Sequence, residues 1–171
     1  MSHALTRYHV LYESVRSRRR RPELPKGLDL VYSRAAMKVR ESRVTLAYLR
    51  REAEAVDALA PALRPLGEEA LDAQVRAVRD LFVRGRARRE HVRQALAVTR
   101  EVARRQTGEE AFPVQLMGAL ALWHGRVAEM LTGEGKTLTG SIVAPLLAWK
   151  HRFLHVFTVN DYLAQRDAES R

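Results

Sequence analysis

The chain has 171 residues, 46% of them hydrophobic, enough for one globular domain or for part of a larger protein. Lys and Arg outnumber Asp and Glu by 30 to 20, a net charge of +10 that attracts polyanions without choosing among nucleic acid, anionic lipid and nucleotide phosphate. The absence of cysteine excludes a disulfide framework and a thiolate metal site, and no apolar run reaches the roughly 18 residues that a bilayer-spanning helix needs.

Residues Met1 to Tyr12 lack the apolar core of a secretory signal, so a cytoplasmic protein is expected. A short helix is predicted near Tyr8 to Val15. The run Arg18 to Arg21, followed by Pro22, Pro25 and Gly27, then reads as a basic linker, because clustered like charges repel and two prolines break a helix. That run is either a solvated arm or a contact for an anionic lipid face or an acidic partner surface.

A helix is expected over Val31 to Leu59, with Val39, Val44, Leu46, Leu49, Ala53 and Val56 along one stripe and Pro61 and Pro65 interrupting it. A second begins near Gly67, where Glu68 and Glu69 suit a helix start; its apolar face is Leu71, Val75, Val78, Leu81 and Phe82, and Gly85 ends it. A third spans about Arg88 to Arg105, with Val92, Leu96, Thr99 and Val102 inward and Gly108 as its cap.

From Phe112 the pattern changes. A short helix over Val114 to Leu122 leads to a strand-length stretch, Arg126 to Met130, then a glycine loop and an apolar helix to about Lys150. A second predicted strand, Leu154 to Val159, precedes Asn160 and Asp161, either of which can cap a further helix. Strand, glycine loop, helix, strand and helix start form the opening of a parallel α/β sheet. The fold class expected is therefore α/β: a basic tail over 1–30, a helical region over 31–110, and over 111–171 the first, incomplete part of a nucleotide-binding sheet.

Gly135-Lys136-Thr137 matches the end of the phosphate-loop pattern GxxxxGK[ST], in which backbone N–H groups cradle phosphate oxygens. Gly133 and Gly135 let the backbone approach closely. Lys136 supplies a compact charge, and arginine is its broader, planar counterpart. Arginine makes up 26 of the 30 basic residues, so a lysine at this position is informative. Thr137 would offer its hydroxyl to Mg²⁺, and the helix beginning here adds its positive end. The pattern's first glycine is replaced by Met130.

Three segments resemble SecA, the bacterial preprotein translocase ATPase. Phe112-Pro-Val-Gln-Leu-Met-Gly118 is similar to that family's FDVQLxGG, Ala128 to Leu138 to its AEMxTGEGKTL, where a Met at position 130 is usual, and Thr158 to Glu169 to its TVNDYLAxRDAE. The stretch from Glu68 to Arg105 resembles the helical lead-in of that motor, whereas residues before about 65 carry little recognisable family sequence.

The resemblance implies a P-loop motor of superfamily 2 with a RecA-like sheet. Gln115 would hydrogen-bond the adenine edge, and Gly133, Glu134, Gly135, Lys136 and Thr137 would hold ATP and Mg²⁺. It also implies coupling of ATP hydrolysis to the passage of unfolded preproteins through a SecY-type channel, peripheral association with the inner face of the cell membrane, and a homodimer in the full-length family. No catalytic residue is expected within the chain, because the acidic motif for metal and water lies downstream in that family; the 171 residues alone are expected not to hydrolyse ATP. The role of Arg166 and Asp167 is left open, with surface or helix-start pairing as the expectation. Pro113, Trp123-His124 and Leu131 depart from the family pattern, and His124, without a partnering nucleophile or carboxylate, reads as structural.

Two alternatives remain open: a nucleic-acid motor fragment of the same superfamily, and a non-enzymatic fragment docking on membrane or channel. Nucleic acid is disfavoured because the basic excess is 13 to 7 in residues 1–60 but only 6 to 5 in 112–171.

Overall fold

The computed structural model describes residues 26–42 and 44–170, and it divides into two units at Ser42. The predicted helix at Tyr8 to Val15 and the run Arg18 to Arg21 lie outside the described residues. In the first unit, α1 (Leu28–Ser42) carries Leu28, Val31 and Tyr32 exposed. All remaining elements belong to the second unit.

The single helix expected over Val31 to Leu59 is two helices, α1 and α2 (Leu46–Asp57). Thr45 takes an extended conformation (φ −88°, ψ 163°) and its hydroxyl accepts the Tyr48 N–H at 3.1 Å, so a new helix starts there. Pro61 lies in the first turn of the short α3 (Ala60–Leu63), where a missing N–H costs nothing.

The next elements follow their predicted signals closely. Helix α4 (Glu68–Val83) begins after Gly67 and buries Leu71, Val78 and Phe82. Helix α5 (Arg89–Thr107) starts with the Arg88 N–H donating to His91 Nδ1 at 2.9 Å and ends on Gly108 in the left-handed region (φ 74°). Helices α6 (Pro113–Trp123), α7 (Lys136–His151) and α8 (Asp161–Ser170) complete the chain; Asn160 Oδ1 caps α8 by accepting the Leu163 N–H at 2.9 Å.

The core lies where α7 packs against α4, α5 and α6, with α2 laid across α5 and α6. Ala53 and Val56 of α2, Leu96 of α5, Leu116 and Leu120 of α6, and Ile142 and Leu146 of α7 are buried in one cluster. Phe82 meets Trp123 and Trp149 edge-on, at ring separations of 5.6 and 5.9 Å, joining α4, α6 and α7. The Thr99 hydroxyl lies 2.9 Å from the Ile142 carbonyl and ties α5 to α7. No described helix is long and apolar enough to cross a membrane.

Neither predicted strand forms among the described residues. The stretches 126–131 and 153–158 are irregular, and Val127, Val156, Phe157 and Val159 are exposed. A strand exists only as half of a hydrogen-bonded ladder, and strands of a parallel sheet bury both faces under helices. Neither segment forms such a ladder among the described residues, so Val127, Val156, Phe157 and Val159 stay open to solvent.

Charge fixes the helices where apolar contact ends. Glu52 of α2 is 1% exposed and accepts hydrogen bonds from Arg89 and Arg93, one turn apart on α5. The two guanidiniums hold its carboxyl down to about 2, from an ordinary value of 4.5. Glu101 is likewise held at about 2, chiefly by Arg104 and also by Arg105. A carboxylate whose pKa is depressed by folding contributes stability that is complete above its unfolded pKa and vanishes as pH falls through its folded one. The urea midpoint is therefore expected to be flat above about pH 5 and to fall between pH 5 and 2. Glu52→Gln should cost about 2 kcal/mol at neutral pH and flatten part of that acid limb, since Arg89 and Arg93 reach water once released. An unchanged limb in this variant would separate the acid response from Glu52.

Candidate functional site

The end of α6 and the start of α7 are joined by the glycine loop, and the loop closes on itself through backbone groups. The Leu131 N–H donates to Glu134 Oε2 at 2.8 Å, while the Leu131 carbonyl accepts the Glu134 N–H at 3.3 Å and Lys136 Nζ at 2.9 Å. Leu131 thus holds the loop through its main chain while its side chain is largely exposed.

Gly135 is the N-cap of α7 in the left-handed region (φ 78°, ψ 39°). No side chain caps this helix start, and no acidic residue sits in its first turn, so its leading N–H groups are suited to an anion. A Cβ at Gly135 would collide with Gln115 Nε2, so a larger residue there must displace that amide as well as adopt a strained left-handed conformation.

Gln115 explains that crowding. Buried on the first turn of α6, its Oε1 accepts the Phe112 N–H at 2.9 Å and its Nε2 donates to the Glu134 carbonyl at 2.9 Å. One amide therefore links the start of α6 to the glycine loop 19 residues away. Each end of the amide keeps spare capacity, one lone pair on oxygen and one hydrogen on nitrogen.

These residues line a cleft of about 860 Å³. The loop and helix start contribute Thr132, Gly133, Gly135, Lys136 and Thr137; Gln115 and Phe112 come from α6, Arg100 from α5, Glu109 and Glu110 from the α5–α6 connection, and Arg166 from α8. The volume falls within the range of small-molecule and cofactor sites. Five of the six residues expected at a nucleotide, Gln115, Gly133, Gly135, Lys136 and Thr137, line it together; the sixth, Glu134, lends its carbonyl to Gln115 and its carboxylate to Leu131.

Arg166 pairs with Asp167 at 2.7 Å, the neighbourly pairing the sequence suggests, and also reaches the cleft. Arg100, Glu110 and Phe112 have no signal of their own in the sequence. Arg100 is one arginine among 26, and only its burial, 6% exposed, marks it out. His124 lies elsewhere, capping the end of α6 with its ring edge-on to Tyr48 and Nε2 3.4 Å from the phenol oxygen. Burial pushes its pKa down.

The model of the SecA DEAD-like domain matches residues 34–171, so the likeness reaches well before residue 65, where the sequence motifs give out. Over 117 residues, 68% of this chain, it is 47% identical to protein translocase subunit SecA 2 of Chlorobium chlorochromatii, of which it covers 18%. It is 45% identical over 116 residues to protein translocase subunit SecA of Carboxydothermus hydrogenoformans, covering 68% of this chain and 13% of that protein. Identity is also 45% over 116 residues with the chloroplastic subunit SECA2 of Arabidopsis thaliana, covering 68% of this chain and 11% of that protein. The chain thus spans less than a fifth of the length of these relatives. With a family match over four-fifths of its residues and a glycine loop, Gln115 and α7 start assembled around one cleft, the chain belongs to the SecA DEAD-like domain family.

Proposed function

We propose that this chain forms the phosphate-gripping part of an ATP-driven protein-translocating motor. The observation that carries the reading is the joining of Gln115 to the Glu134 carbonyl beside an uncapped helix start at Gly135. That single arrangement supports a base-reading amide and a phosphate cradle sharing one cleft.

In this reading Gly133, Glu134, Gly135, Lys136 and Thr137 surround the phosphates, and Gln115 reads adenine, accepting from its N6 and donating to its N7. Lys136 turns from the Leu131 carbonyl to the anion, exchanging a neutral acceptor for a charged one. Thr137 offers its hydroxyl to Mg²⁺, which would neutralise phosphate charge. Residues 111–171 open the nucleotide-binding domain and 31–110 are its helical lead-in. The apolar stretches 126–130 and 154–159 are its strand sequences; their exposed valines and Phe157 suit burial in a family-type parallel sheet.

The relatives' names support protein translocation; from the motif resemblance we infer that it is ATP hydrolysis coupled to the movement of unfolded preproteins through a SecY-type channel, by a cytoplasmic protein peripheral to the membrane. The 171 residues alone bind nucleotide without turning it over. Glu110, a carboxylate on the cleft, is engaged by Arg64 and Arg100, and Glu134 is committed to Leu131, so neither is placed to orient water. Near-balanced charge over 112–171 argues against a nucleic-acid track.

Calorimetric titration with ATP and Mg²⁺ should show saturable binding that Lys136→Ala weakens by about tenfold to a hundredfold, the worth of a charge-assisted contact. Gly135→Ala, strained and colliding with Gln115, should abolish it while leaving helical content intact. Phosphate release by the chain should not exceed that of Lys136→Ala. ATP binding indifferent to both substitutions would refute this reading, and robust turnover lost in Lys136→Ala would refute the account of hydrolysis.

A further inference from the structure

Arg100 sits on α5, outside the motifs, and lines the cleft while 6% exposed. Its Nη1 donates to Asp57 Oδ1 at 2.7 Å, its Nη2 lies 3.3 Å from Glu110 Oε1, and its buried Nε has no hydrogen-bond partner. A buried guanidinium with an unsatisfied N–H is costly, and a leucine would fill that face of α5 at less expense. Packing alone therefore does not account for it.

What Arg100 holds is the connection into α6. Glu110 is gripped from one side by Arg100 and from the other by Arg64, whose Nη2 donates to both carboxylate oxygens at 2.8 and 2.9 Å. The following residue, Ala111, is 1% exposed in the core cluster. The next, Phe112, gives its N–H to Gln115 Oε1. Three successive residues are thus pinned by a side-chain ion pair, by burial and by the glutamine itself.

The consequence is chemical. A primary amide can turn over, exchanging its donor and acceptor. With Phe112 N–H fixed at one end and the Glu134 carbonyl at the other, Gln115 has only one orientation. Its free lone pair then meets an N–H, and its free hydrogen meets an acceptor. Adenine presents that pair as N6–H and N7, whereas guanine presents two acceptors, O6 and N7. A glutamine that loses the Phe112 N–H no longer has its oxygen held toward N6–H, so adenine loses that bond, whereas guanine's two acceptors take only one hydrogen bond from the amide in either orientation.

We propose that Arg100 is a positioning residue for base selection, acting through Glu110 and the Phe112 amide to lock the orientation of Gln115. This rests on the nucleotide reading above and adds how that site tells one purine from another.

The test is equilibrium binding of ATP, GTP and inorganic tripolyphosphate to the full chain, to Arg100→Lys and to Glu110→Ala. A lysine keeps the charge but cannot span Asp57 and Glu110 together. Both variants are expected to lower the preference for ATP over GTP by about tenfold, roughly one hydrogen bond, through a loss of ATP affinity larger than any loss of tripolyphosphate affinity. A preference unchanged in both variants overturns the proposal, as does a parallel loss of all three ligands in folded protein. If Arg100→Lys does not fold, Glu110→Ala, whose carboxylate is at the surface, decides alone. Wild-type protein that binds none of the three overturns the nucleotide reading itself. Wild-type protein that binds ATP and GTP equally removes base selection and this proposal, but not the phosphate site.

Discussion

One side-chain amide connects the two parts of the site. Gln115 spans from the Phe112 N–H to the Glu134 carbonyl, so the start of α6 and the loop before α7 cannot move independently. Gly135 is required because that amide lies where a Cβ would be. The left-handed turn at Gly135 in turn aims the uncapped start of α7 into the cleft. The choice of glutamine at 115 and glycine at 135 thus reduces to one packing constraint.

Around this link the molecule uses arginine as a structural residue. Arg89 and Arg93 fix Glu52, Arg104 and Arg105 fix Glu101, and Arg64 and Arg100 fix Glu110. In each case one carboxylate, buried at Glu52 and Glu101 and part-exposed at Glu110, is held by two guanidiniums, which lets helices meet at their polar margins without stranding a charge. Much of the excess positive charge that attracts attention in the composition is therefore engaged within the second unit. The two aromatic contacts of Phe82 and the apolar seam of α7 supply the nondirectional remainder.

Helices from Gly67 to Gly108 were legible because their ends carry strong local signals, glycine in the left-handed region and acidic residues at the start. The break at Thr45 was not, because the apolar stripe of Val39 to Val56 runs through it and a threonine cap is a weak interruption in a helix-forming sequence. The stretches Arg126 to Met130 and Leu154 to Val159 have strand composition, yet strand formation is a property of a pair, and no partner lies among the described residues. Gln115 and the loop were legible through motif resemblance. Arg100 and Glu110 were not, since an arginine on a helix face and a glutamate in a turn read as solvated charges until burial and distance show otherwise.

The central claim, a nucleotide held between Gln115 and the loop before α7, is tested most directly by residue-resolved amide shifts on addition of ATP with Mg²⁺. The account predicts concerted, saturable shifts of the backbone N–H groups of Gly133 to Thr137 together with the Gln115 side-chain NH₂. Shifts confined to other parts of the chain, or a Gln115 amide unmoved while the loop responds, would contradict it.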